Sequence, residues 1–126
     1  MGQQKGRERM EQIPLMQRDL LLVPFPFSDQ SGNKVRPVMV VSNRAFNEHS
    51  EDLLVVGITS NISRGKYTIS LSSTDLEEGQ LYSKCCIKAE NILKIEKSMV
   101  VKKIGKAKKE KLESTIKTIN KIISAQ

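Results

Sequence analysis

Two stretches of this sequence hold side chains able to act on a phosphate. In Lys34-Val35-Arg36-Pro37-Val38-Met39-Val40-Val41 an arginine stands immediately before proline at the mouth of an apolar run. Proline drives the residue before it into extended backbone, and at a strand start it costs no ladder hydrogen bond. A guanidinium held there offers a permanently charged planar fork, suited to phosphate or to the extra negative charge of a five-coordinate phosphorus. The Arg-Pro step by itself fits a surface ion pair equally well. In Leu53-Leu54-Val55-Val56-Gly57-Ile58-Thr59-Ser60-Asn61 an apolar strand ends abruptly in three hydrogen-bonding side chains. Gly57 permits close backbone approach, and Thr59, Ser60 and Asn61 can donate to phosphate or sugar oxygens. Such residues also end strands simply as turn formers.

Other chemistries lack their parts. The one histidine, His49, lies in the polar stretch Asn47-Glu48-His49-Ser50-Glu51, which predicts a surface loop. A single chain therefore builds neither a histidine pair for acid–base RNA cleavage nor a histidine metal site. The seven glycines form no GxGxxG and no P-loop, so no nucleotide cofactor is expected. Asp75, Glu77 and Glu78 cluster around Gly79 in an expected turn, a poor start for a two-metal site. Cys85 and Cys86 are adjacent, match no CxxC or zinc spacing and would pair only with strain. They read as free thiols on a strand, one facing the core and the other the far side. No metal and no cofactor is expected.

The elements that position these groups follow from periodicity. At 126 residues, 38% hydrophobic and 28% charged, the chain fits one soluble domain. Residues 1–16 read as a flexible N-terminal arm and residues 17–126 as the single folded domain. Short β-type runs are expected at Leu20 to Phe25, Val38 to Ser42, Leu53 to Ile58, Tyr67 to Leu71, Lys84 to Lys88 and Met99 to Ile104, separated by turn formers. No βαβ alternation appears, so the prediction is a small antiparallel sheet or barrel. After Gly105, Leu112, Ile116, Ile119 and Ile123 recur at steps of four, three and four, predicting one apolar helix face to close the barrel.

Charge is unevenly spread. Residues 1–93 hold 11 Lys/Arg and 11 Asp/Glu, whereas residues 94–126 hold 10 Lys and 3 Glu, so the net +7 lies entirely in the C-terminal quarter. A lysine-rich surface attracts nucleic acid or an acidic protein, and also simply keeps a protein soluble. No apolar run approaches the roughly 20 residues of a membrane helix, and the N-terminus lacks a signal-peptide core, so a cytoplasmic protein with no membrane partner is expected.

Taken in order, Asp19-Leu20-Leu21-Leu22-Val23-Pro24-Phe25-Pro26-Phe27, then Ser31-Gly32-Asn33-Lys34-Val35-Arg36-Pro37-Val38-Met39-Val40-Val41, then Gly57-Ile58-Thr59-Ser60 resemble the MazF/PemK family of type II toxin–antitoxin ribonucleases. The stretch Ser83 through Ile87 and Ile104-Gly105-Lys106 extend the resemblance to about residues 17–123. It implies a mainly β fold, a small SH3-like antiparallel barrel of the CcdB/MazF type with a C-terminal amphipathic helix, usually as a homodimer. It implies an endoribonuclease, an mRNA interferase that cleaves single-stranded RNA without a metal and is inhibited by a cognate acidic antitoxin. The family's catalytic arginine falls on Arg36 and its catalytic threonine on Thr59. The stretch from Phe27 to Lys34 corresponds, as a region, to the family's loop over the RNA. Phe27 is a stacking candidate; Ser28, Asp29, Asn33, Lys34, Ser60, Asn61, Arg64 and Lys66 are candidate polar contacts to RNA.

Two rival functions share these features. A toxin of the same barrel can act on a protein target such as gyrase without cutting RNA. A nonenzymatic single-strand-binding β-barrel could instead use the lysine-rich tail. The tail itself is read as serving the acidic antitoxin rather than RNA.

Overall fold

The computed structural model describes residues 14–24, 34–62 and 65–126. Their strands are β1 (Asp19–Pro24), β2 (Val35–Val40), β3 (Asp52–Thr59), β4 (Thr68–Leu71), β5 (Leu76–Gly79), β6 (Cys85–Glu96) and β7 (Lys102–Ala107). A short helix α1 (Arg44–Glu48) joins β2 to β3, and α2 (Lys109–Ile123) ends the chain. All seven strands pair antiparallel in one curled sheet, ordered β4-β6-β3-β2-β1-β7-β5, so the mainly β fold with a C-terminal helix is as expected.

Both faces of the sheet's centre are buried, which explains why β1 and β3 read as continuous apolar runs rather than alternating ones. One face gathers Leu20, Met39, Val56, Ile58 and Ile87 with Leu112 of α2. The other gathers Leu21, Val23, Val38, Val40, Leu53 and Val55, with Leu15 packed against it. Burying a leucine such as Leu112 stabilises by about 1.5–3 kcal/mol, and that contact seats the helix. The helix stripe departs from the expected one. Leu112 and Thr115 are buried and Ile119 partly so, while Ile116 is 38% and Ile123 68% exposed. Thr115 tolerates burial because its hydroxyl donates to the Lys111 carbonyl at 2.7 Å.

The boundaries shift where tertiary pairing overrides local pattern. β2 starts at Val35, so the Arg36-Pro37 step lies inside the strand; pairing with β3 begins only at Val38. β6 runs on to Glu96 because its second half pairs with β3 after a slip in register. β5 occupies the acidic stretch read as a turn. Its carboxylates and Asp75 are ion-paired: Asp75 with Lys111 at 3.7 Å, Glu77 with Arg18 at 3.1 Å, Glu78 with Lys103 at 3.3 Å. The polar gap before β3 holds α1, capped by the Asn43 side chain, which accepts from the Phe46 amide at 3.0 Å. His49 follows it, exposed, its ring Nδ1 2.9 Å from the Ala45 carbonyl.

Cys85 and Cys86 are free and both buried. Cys85 joins the first core face. Cys86, the next residue along the strand, points to the opposite side, as expected, and is covered there as well. Burial, with Cys86 beside it, pushes the Cys85 thiol above the ordinary range. Its thiolate, the reactive form, is correspondingly disfavoured.

Candidate active site

The register of three strands assembles the site. Val38 of β2 lies opposite Gly57 of β3, and Gly57 lies opposite Lys88 of β6. Directly opposed residues share a face, as do residues two apart on one strand. Arg36, Thr59 and Lys88 therefore rise from the same side of the sheet, around a position that carries no side chain. The consequence is a cavity of about 200 Å³ lined by Arg36, Thr59, Lys88 and Asn91, with Val38 and Leu93 as apolar wall.

Gly57 is the floor of that cavity. A Cβ there would come within 2.6 Å of Asn91 Nδ2, so the carboxamide of Asn91 occupies the space a side chain would claim. Asn91 reaches this place through the slip in β6. One step on β3, from Val56 to Gly57, corresponds to four on β6, from Ile92 to Lys88, leaving Ala89, Glu90 and Asn91 outside the pairing. The Ala89 amide donates instead to the Tyr67 carbonyl at 3.0 Å.

Arg36 is half-buried, its backbone fixed opposite Val23 of β1. Thr59 ends β3, and its hydroxyl accepts from the Asn61 amide at 3.1 Å, closing a small turn. The turn-forming reading of Thr59 is thus met, and accepting that bond leaves the hydroxyl proton unspent. The walls offer two cations and no carboxylate, a field that favours an anion.

The remaining candidates are placed as follows. Lys34, Ser60 and Asn61 are exposed at the chain segments that enter β2 and leave β3, beside the cavity without lining it. Lys66 is exposed and its ammonium sits 5.7 Å from the centre of the Tyr67 ring. Phe27, Ser28, Asp29, Asn33 and Arg64 lie outside the described residues, as does most of the arm. Lys88 and Asn91 were missed by sequence reasoning. The local pattern gave little signal, because β6 also carries Glu90, Lys94 and Glu96, and Lys88 differs from them only in standing between the buried Ile87 and Ala89.

Over residues 16–123 the chain matches the family described as PemK-like, MazF-like toxin of type II toxin-antitoxin system. No curated protein matches it in a sequence comparison. Among solved structures, a MazE–MazF complex from Deinococcus radiodurans aligns at TM-score 0.71 and 16% identity, covering 88% of this chain and 97% of that one. The Mycobacterium tuberculosis toxin MazF-mt6 aligns at TM-score 0.69 and 15% identity, covering 86% and 99%. A mycobacterial endoribonuclease in complex with its cognate antitoxin aligns at 0.69 and 17%, covering 88% and 96%. At these identities the likeness is one of fold.

Proposed function

The chain belongs to the PemK-like, MazF-like toxin family of type II toxin–antitoxin systems, and from that premise we propose that it is an endoribonuclease cutting single-stranded RNA by 2′-hydroxyl attack, with no metal required. The observation that carries this reading is the convergence of Arg36 and Thr59, from different strands, on one cavity with Gly57 in its floor. The 2′-oxygen attacks the neighbouring phosphorus and gives up its proton to water, the bond to the 5′-oxygen breaks, and that oxygen takes a proton from water, so the products are a cyclic phosphate and a 5′-hydroxyl end. Such a reaction needs in-line positioning and stabilisation of the charge gathering on the phosphoryl oxygens. Arg36 supplies a planar, doubly donating cation for that charge. Thr59 donates its hydroxyl proton to the phosphate or holds the nucleophile in line. A guanidinium is a poor proton acceptor, so Arg36 acts by charge and geometry.

The same reading gives the protein a cytoplasmic place, a homodimeric state and an acidic antitoxin as partner. The family supports these assignments, and the lysine-rich C-terminal quarter supports the last. Among the described residues no helix is long and apolar enough to cross a membrane.

The test is cleavage of a long single-stranded RNA in EDTA by the wild type and by Arg36→Ala, with the variant's fold verified by circular dichroism. Discrete cuts by the wild type with cyclic phosphate and 5′-hydroxyl ends, and a loss of about 10²-fold or more in the variant, are expected. Cutting of an all-deoxy strand would rule out 2′-hydroxyl attack. A folded wild type that cuts no RNA would leave a toxin acting on a protein target.

A further inference from the structure

We propose that Lys88 is a second phosphate ligand of this site, closing on the scissile phosphate from the side opposite Arg36; the inference rests on the ribonuclease reading above. Three observations converge on it. First, Lys88 stands directly across from Gly57 on one side and Thr68 on the other, so its side chain leaves the face that carries Arg36 and Thr59. Because Gly57 contributes no side chain, nothing on β3 separates the ammonium from the guanidinium. β2 and β6 are two strands apart, about 10 Å at the usual sheet spacing. An arginine and a lysine reaching inward from the two sides close such a gap to the width of a phosphate.

Second, Lys88 lines the cavity itself. Third, its charge is uncommitted: the six ion pairs among the described residues employ Lys94, Lys103, Lys111 and two arginines, and none employs Lys88. A half-buried lysine inside a strand, with core residues before and after it and no carboxylate in the cavity, has no evident structural task for its charge.

The chemistry gives it one. In-line attack raises the charge on the phosphoryl oxygens, and one guanidinium covers only one side of the resulting trigonal bipyramid. A rotatable ammonium on the far side binds the other equatorial oxygen without exchanging a proton, complementing the rigid fork of Arg36.

The experiment compares the full-length wild type with Lys88→Met, which keeps the aliphatic stem without the charge, and Lys88→Arg, which keeps a charge. Each is assayed for single-turnover cleavage at saturating RNA. Each is also assayed for binding of an oligonucleotide with deoxyribose at the cleavage position, across a salt series. Lys88→Met should cut about 10²- to 10³-fold more slowly and lower the slope of log affinity against log salt by about 0.7. Lys88→Arg should restore the slope and part of the rate. Wild-type cutting beside an equally active Lys88→Met with an unchanged slope would overturn the role of Lys88 alone. A wild type that cuts nothing overturns the ribonuclease reading, and this inference falls with it.

Discussion

In the proposed mechanism the Thr59 hydroxyl serves both the turn and the reaction. Its oxygen accepts from the Asn61 amide at 3.1 Å, and the proton it still carries can be given to a phosphate oxygen. Thr59→Val preserves the branched shape and removes only that donor and acceptor. Loss of the turn hydrogen bond should cost about 0.5–1.5 kcal/mol of stability, whereas cutting should slow about 10²- to 10³-fold. Thr59→Ser should retain most of the rate. Initial rates beside thermal melts separate the two effects, and a valine variant that cuts at the parental rate would remove Thr59 from the reaction. Arg36 and Thr59 could be singled out in the sequence because each stands at one end of an apolar run, but that pattern fits an ion pair or a turn former as well, and only the resemblance to the MazF/PemK family implied their roles. Lys88 and Asn91 could not be singled out, because their place depends on which residues of β6 face β3. That is decided by a slip of three residues that no local pattern announces.

At the level of elements, two glycines illustrate the difference between shaping the site and holding the sheet. An alanine at Gly57 would push against the terminal nitrogen of Asn91, 2.6 Å from the new Cβ, and a side-chain end can swing away. Gly57→Ala should therefore fold with a stability within about 1 kcal/mol of the parent. It should cut at least about tenfold more slowly, a barrier increase of ~1.4 kcal/mol, because Asn91 and the new methyl now fill the cavity. Gly79 sits at φ +83, and its Cβ would fall 2.3 Å from the Ile104 carbonyl oxygen, which is backbone of β7 and cannot yield without parting the two strands. Gly79→Ala should lower the unfolding free energy in urea by about 1–3 kcal/mol from the backbone conformation alone, with cutting at low temperature unaffected. The reverse pattern at either glycine would contradict the assignment. β5 escaped sequence reading for the same reason that Gly79 matters: Leu76 is its only large apolar residue, and it is a strand because β7 offers it a partner. The helix was legible in position but not in rotation, since the face that turns inward is set by contact with β6 and β4 and accommodates Thr115 in place of Ile116.

For the whole molecule, the C-terminal excess of lysine is partly a counterweight. Lys103 and Lys111 reach back to Asp19, Glu78 and Asp75, all from the charge-balanced first three quarters of the chain. Asp19 opens the first strand, is fully buried, and lies 3.3 Å from the Lys103 ammonium through Oδ1, while Oδ2 accepts from the Met16 amide at 2.8 Å. Partial burial alone would pull the Lys103 pKa down, but the facing carboxylates of Asp19 and Glu78 outweigh it and raise the pKa above the ordinary lysine value. A raised folded-state pKa means that the stabilisation is fully present below the unfolded value, about 10.5, and is lost as pH rises through the folded value. Stability should accordingly hold level, as far as Lys103 is concerned, through neutrality and decline above about pH 10.5. Lys103→Met removes the cation and leaves Asp19 buried against a methyl group. Because the Lys103 side chain is 28% exposed, the cost at pH 7 should be roughly 2–4 kcal/mol, short of the ~5 kcal/mol of a fully enclosed pair. Urea unfolding of both proteins at pH 7 and pH 11 decides it: the gap between them should narrow at the higher pH, as the wild type loses the same charge. A gap of equal size at both values would mean that Lys103 supports the fold through its stem, and that the first strand is tied to β7 by packing rather than by charge.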